Sequence, residues 1–336
     1  MGDKKKFIRN ILFFIFIIVI TFTVIFKNSN FNQIISTIFS VNYKFIILAV
    51  ISMFMYFFFE ALNIRYILNS LNIKISVLSA MRYTLVGFFG SGITPGGGGG
   101  QPVEIYYMKK DGIRVSASMI TLMIELLSFH LITIFFGLVG LFFNRTMLVK
   151  GSIYIFIIGL IVKLVVLIIM LIGLFSRKLS KKIVSFVLLI LSKIKYFNTE
   201  NIALSINNWV DDYNKGALYV KKHKNVFMAS VLYTLFQVFM HYSVTFFVYK
   251  SLGFSSYSYL QIVLVQAILY VSTASIPLPG AVGISETAFL MIYSTIFGNT
   301  LTSAMILQRF ITFYLFIIIS LIVVIYSTYK RKKYIN

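Results

Sequence analysis

The chain has 336 residues, 59% hydrophobic and 12% charged, with a mean hydropathy of +0.91, and so little polar surface excludes a soluble globule with a hydrophilic skin. It reads as an all-α polytopic membrane protein. The formal net charge of +22 lies in loops between apolar segments, where it fits cytoplasmic-loop bias and attraction to anionic lipid headgroups and argues against a nucleic-acid partner.

In chain order, the segments 7–26, 43–62, 117–143, 151–175, 226–250 and 303–327 are each long and apolar enough to cross a bilayer as a helix, which predicts six full spans. The first follows Lys4, Lys5, Lys6 and Arg9 but lacks a small-residue cleavage site, so it reads as a retained anchor. Between the second and third spans, the apolar stretch 78–93 runs into Thr94-Pro95-Gly96-Gly97-Gly98-Gly99-Gly100-Gln101-Pro102-Val103-Glu104. The stretch 179–196 is too short in its apolar part to span and is expected on the cytoplasmic interface; 197–222 reads as a helical connector. Between the last two spans, 257–276 runs into a second break at Ile276–Glu286 that carries Pro277, Pro279, Gly280 and Gly283. The two breaks hold all four prolines. Lipid tolerates broken backbone only where protein or a cavity covers it, so a matched pair of breaks marks a candidate site.

Loop charge sets an expected topology. The basic stretch Arg177–Lys224, the N-terminus and the tail Lys330–Lys333 are all expected in the cytoplasm. Residues 78–116 must then enter and leave from the cytoplasmic side, and 257–300 from the outer side. Two broken, re-entrant hairpins inserted from opposite faces outline an inverted repeat, about 43–143 and about 226–327, joined by a basic connector at 176–225 in a single membrane domain. Ser116-Ala-Ser-Met-Ile120 and Thr302-Ser-Ala-Met-Ile306 open the elements after the two hairpins in similar fashion. The simpler alternative is two more full spans, each followed by a surface loop.

A carboxylate at helix centre costs about 2.5 to 3.5 kcal/mol on insertion scales, so acidic residues in apolar sequence need a partner or a role. Glu104 and Glu286 each follow a break where a half-helix can begin, and either cap that helix or meet a ligand. Backbone N–H groups of Gly96–Gly100 could form an anion nest, although no Gly-Lys-Ser/Thr ending makes this a nucleotide loop. Glu125 and Arg309 sit at comparable depths in their spans and either pair or contact opposite charges of a headgroup. His241 shares a face with Tyr233 and Gln237 and suits interhelical hydrogen bonding. Glu60 and Arg82 read as snorkelling residues near cytoplasmic ends. The chain has no cysteine, and its three histidines lack metal-ligand spacing, so no metal or other cofactor is expected.

The run Pro95 to Gly100 leading to Pro102-Val103-Glu104, with the later Pro277-x-Pro279-Gly280-x-x-Gly283-x-x-Glu286, resembles the two signatures of the lysylphosphatidylglycerol synthase transmembrane family. That is the flippase-like region of multiple peptide resistance factor proteins. The resemblance covers essentially the whole chain and implies a bacterial inner-membrane protein handling aminoacylated phosphatidylglycerol in antimicrobial peptide resistance. Full-length members add a cytoplasmic aminoacyltransferase domain, which this chain lacks after Asn336, so synthase activity is not expected of it.

The expected function is a lipid translocase for an aminoacylated or other anionic or zwitterionic phospholipid. The candidate lipid-binding residues are Pro95, Gly96–Gly100, Glu104, Glu125, His241, Pro279, Gly280, Gly283, Glu286 and Arg309, and no catalytic residue is assigned. The alternatives are a lysyltransferase-related membrane enzyme and a partner subunit of a separate lipid aminoacyltransferase. A homodimer is a further candidate assembly.

Overall fold

A computed structural model describes residues 23, 31–175, 218–219, 222–273 and 278–332. The expected span 7–26, apart from residue 23, the interfacial stretch 179–196 and most of the connector lie outside the described residues. The described residues are helical and hold no strand, as an all-α polytopic membrane protein requires. Five stretches, 43–70, 115–147, 151–172, 224–251 and 294–329, are long and apolar enough to cross a membrane, and they coincide with the other five expected spans.

The helices are α1 (Phe31–Phe39), α2 (Tyr43–Ser70), α3 (Val77–Gly92), α4 (Gly100–Lys110), α5 (Val115–Asn144), α6 (Lys150–Phe175), α7 (Lys224–Ser251), α8 (Tyr259–Ser272), α9 (Ile284–Ile292), α10 (Ser294–Phe297), α11 (Leu301–Arg309) and α12 (Leu315–Lys332). A π turn at Phe310–Tyr314 joins α11 to α12. The spine is the long packing of α2 on α7. Around it, α8 is held between α5 and α6 by small residues: a Cβ on Gly140 would meet the Leu264 carbonyl, and one on Gly159 would meet that of Val271. Such close backbone approach is the usual basis of helix association where lipid removes the hydrophobic driving force.

Two sets of bonds define the ends of the bundle. At one end Asn42 N donates to the Ser251 carbonyl at 2.9 Å, and Thr295 Oγ1 donates to the Met147 carbonyl at 3.3 Å. At the other, the Tyr219 hydroxyl donates to the Ser70 carbonyl at 3.0 Å, Tyr107 and Thr328 hydroxyls meet at 3.4 Å, and Arg82 pairs with Asp111. Arg82 lies early in α3 and Asp111 just after α4, so this ion pair closes the mouth of the α3–α4 hairpin at the second end. The α8–α9 hairpin opens at the first end, where Phe297 packs on Tyr249 and Phe254.

Neither α3 nor α8 alone is long enough to cross. The 16 residues of α3 reach about 24 Å and the 14 residues of α8 about 21 Å, against a hydrocarbon core of about 30 Å. Ser76 caps α3 and a Ser258–Gln261 capping box starts α8. Each hairpin turns at its proline, and the two turns are built alike. An extended residue, Thr94 (φ −117°, ψ 145°) or Leu278 (φ −97°, ψ 149°), precedes the proline. A left-handed glycine, Gly96 (φ 62°, ψ 16°) or Gly280 (φ 57°, ψ 14°), follows it.

Gly280 is doubly constrained, because a Cβ there would also overlap the Phe313 ring. Gly280→Ala should therefore destabilise the fold by about 2 kcal/mol, from left-handed strain and overpacking together. Thermal unfolding of the detergent-solubilised protein checks this; Phe313→Leu in the same chain should recover the steric part and leave the backbone part.

Candidate functional site

The turn at Pro95–Gly97 lies beside the turn at Pro279–Ala281, so the two breaks come together, with Pro95 and Gly96 of the first exposed. Each is internally bonded. In the first, Thr94 Oγ1 donates to the Gly90 carbonyl at 2.7 Å and accepts from Gly99 N at 2.8 Å, while Gly97 N and Gly98 N donate to the carbonyls of Thr94 and Pro95. Three N–H groups of the polyglycine run are thus used within the turn. In the second, Ala281 N and Val282 N donate to the carbonyls of Leu278 and Pro279.

Arg309 holds the second break in place. Its Nε donates to Glu286 Oε1 at 2.8 Å and its Nη2 to the Gly280 carbonyl at 3.0 Å. Glu286 is fully buried, and its other oxygen accepts from Gly283 N at 2.7 Å and Ser285 Oγ at 2.9 Å, which caps α9. The Tyr314 hydroxyl adds a bond to Oε1 at 3.3 Å, and the guanidinium lies over the Phe313 ring at 4.7 Å. The π turn after Arg309 carries both aromatic side chains into this cluster; such turns recur at functional sites. Arg309 therefore pairs with Glu286 rather than with Glu125, one of the arrangements the sequence left open.

Around the joined breaks lies a cavity of 590 Å³, whose polar lining includes Ser91, the Gly96–Gly97 backbone, Lys163, Tyr270 and Thr273. It shares Phe88, Tyr270, Thr273, Gly280, Ala281 and Phe313 with a smaller cavity of 190 Å³, which adds Tyr56, His241, Gln266 and Arg309. His241 contacts the rings of Tyr56, Tyr242 and Tyr270, and it faces this space.

The other acidic candidates line neither of these two cavities. The Glu104 carboxyl packs on Gly87, where any Cβ would overlap it, and its Oε2 is buried with no hydrogen-bond partner. Glu60 accepts from Gln237 Nε2 at 2.9 Å. Glu60, Glu104 and Glu125 are close enough to feel one another's charge, and Tyr56 and Tyr270 stand within the same electrostatic reach of Glu60. The snorkelling expected for Glu60 does not occur, because its helix is long enough to place it a full ten residues inside Ser70 and against α7.

Of the candidate residues, Gly96, Gly97, His241, Gly280 and Arg309 line the joined cavities. Pro95, Gly98, Gly99, Gly100 and Pro279 shape the turns. Gly283 and Glu286 support Arg309, and Glu104 and Glu125 form an acidic cluster with Glu60. Lys163, Tyr270 and Thr273 are cavity residues that sequence reasoning missed. A lysine inside the span 151–175 was itself the signal for the first.

Removing Arg309 leaves Glu286 buried and uncompensated. Arg309→Met should cost about 3 to 5 kcal/mol of stability, and the Glu286→Gln, Arg309→Met double variant less than Arg309→Met alone. Thermal unfolding of the native protein, the single variants Arg309→Met and Glu286→Gln, and the double variant gives the coupling.

Residues 10–320 match the family described as "Lysylphosphatidylglycerol synthase TM region". Comparison with curated proteins gives no match.

Proposed function

Because the chain belongs to the lysylphosphatidylglycerol synthase transmembrane-region family, we propose that it is a lipid translocase of the bacterial cytoplasmic membrane. Its cargo would be an aminoacylated or other anionic or zwitterionic phospholipid, with lysylphosphatidylglycerol the first candidate. The observation that carries this reading is the meeting of two helix breaks, entered from opposite ends of the bundle, around a cavity that holds polar and charged side chains. Paired breaks of this kind suit an inverted repeat with its site at the midplane.

The bundle end that gathers Arg65, Lys74, Arg82, Lys109, Lys110, Arg114, Lys222 and Lys224 is the more basic one, which supports a cytoplasmic location for it and for both termini. In this reading the headgroup enters between the two re-entrant hairpins while the acyl chains stay in lipid. Its phosphate enters the cavity bordered by the Gly96–Gly97 edge, with Arg309 on the adjoining smaller cavity. An ammonium group, where present, is drawn toward Glu104, Glu125 and Glu60 past Tyr56. Rocking of one hairpin against the other would open the cavity to each leaflet in turn.

The test is leaflet transfer of fluorescent phosphatidylglycerol and lysylphosphatidylglycerol in proteoliposomes, read by a membrane-impermeant quencher. Transfer should exceed that of protein-free vesicles, and equality across several lipids would sink the reading. The native chain has no cysteine, so single cysteines test the hairpin topology. Cysteine at Lys109 should react with an impermeant thiol reagent only from the face that carries the basic tail, and cysteine at Asn299 only from the opposite face.

A further inference from the structure

Lys163 is the charged group that the proposed function leaves without a task. It lies in α6, whose neighbouring side chains Ile157, Ile158, Ile161, Val165, Ile168 and Ile169 are exposed as lipid-facing residues would be, yet Lys163 itself is only 6% exposed. The reason is register. Ser152, Phe156, Gly159, Lys163, Leu167 and Met170 recur every three or four residues and form the one buried stripe of the helix. Gly159, one turn before Lys163, lets α6 approach the Val271 carbonyl at the end of α8, and this sets Lys163 beside Tyr270 and Thr273 at the mouth of the second break.

The ammonium there has weak company. Nζ donates to Thr133 Oγ1 at 3.1 Å and lies 5.0 Å from the Tyr270 ring centroid and 5.9 Å from that of Phe129. Among the described residues no carboxylate pairs with it, whereas the other deeply buried cation, Arg309, is matched by Glu286. A buried, unpaired ammonium in a low-dielectric setting is costly unless an anion arrives to meet it. The space it faces is the 590 Å³ cavity, lined also by Ser91 and the glycine turns.

We propose that Lys163 is the principal anion-binding group of this cavity and that its ligand is a phosphate, as the diester of a glycerophospholipid headgroup. Resting on the translocase reading, this places the recognising charge on α6 rather than on the polyglycine turn, whose N–H groups at Gly97, Gly98 and Gly99 are already bonded, or on Arg309. The lysine acts as a point charge on a flexible stem, suited to a ligand that must be released again.

The test measures thermal unfolding of the full-length, detergent-purified protein with dioctanoyl phosphatidylglycerol, dioctanoylglycerol or inorganic phosphate. Phosphatidylglycerol should stabilise the native protein more than dioctanoylglycerol does. In Lys163→Gln and Lys163→Met its affinity should fall about tenfold or more, the scale of one charge-assisted hydrogen bond, while Lys163→Arg retains most of it. Without ligand, Lys163→Met should be at least as stable as the native chain, because it removes an uncompensated buried charge. A fall in the ligand-free midpoint with an unchanged lipid-induced shift would mean a structural lysine and overturn the proposal. Equal stabilisation by dioctanoylglycerol would overturn it too. Inorganic phosphate reproducing the whole shift in the native protein but not in Lys163→Met supports the anion site and names a free phosphate as its ligand. Lysine-dependent binding without any leaflet transfer would remove the translocase reading and leave the site standing.

Discussion

The buried pair between Glu286 and Arg309 is the constraint to which the middle of this bundle is referred. Glu286 fixes the start of α9 by capping it, and Arg309 fixes the second turn by holding the Gly280 carbonyl, so one ion pair ties a helix break to the long α11–α12 rod. Phe313, from the π turn that follows Arg309, then packs on Gly280 and reaches Phe88 of α3 at 6.0 Å between ring centroids. The first hairpin is thereby registered against the second. An ion pair taken out of water seldom adds net stability against an apolar substitute, but once present it cannot be broken cheaply. Its role here is to specify one arrangement of a segment that has no regular secondary structure to specify it.

The remaining charges are arranged differently. Among the described residues, no cation pairs with Glu60, Glu104 or Glu125, and no carboxylate pairs with Lys163. A fold that needed only stability would have joined these charges or deleted them. Holding them apart costs free energy, which a zwitterionic or aminoacylated headgroup could return by bringing both missing signs.

How much of this was legible in the sequence depended on the kind of signal. The spans followed from runs of apolar residues, and the breaks from four prolines confined to two segments, because lipid leaves so few ways to accommodate a proline next to glycines. Side-chain pairing was less accessible. Arg309 could be placed at the right depth, but its choice of Glu286 over Glu125 is set by how the second break folds back beside α11, and nothing in Phe310–Tyr314 announces the π turn that adds Phe313 and Tyr314 to the cluster. The polyglycine run invited an anion nest, yet Thr94 and Pro95 redirect its N–H groups inward. Lys163 was legible and passed over: within an apolar span a lysine belongs on the buried face, and Ser152 and Gly159 at helical spacing mark that face.

The bonding within and between the breaks also bears on how such a molecule could move. Thr94 and Ser91 bond backbone groups within the first turn, and Arg309 holds the Gly280 carbonyl of the second. Between the two turns, among the described residues, no hydrogen bond is made. Separating them would break no hydrogen bond among the described residues. A chain that had to unfold a turn at membrane depth would meet a barrier of several kcal/mol for each unsatisfied group. Two turns that share no hydrogen bond among the described residues avoid that barrier, which is what the parting of the hairpins in the proposed translocation would require.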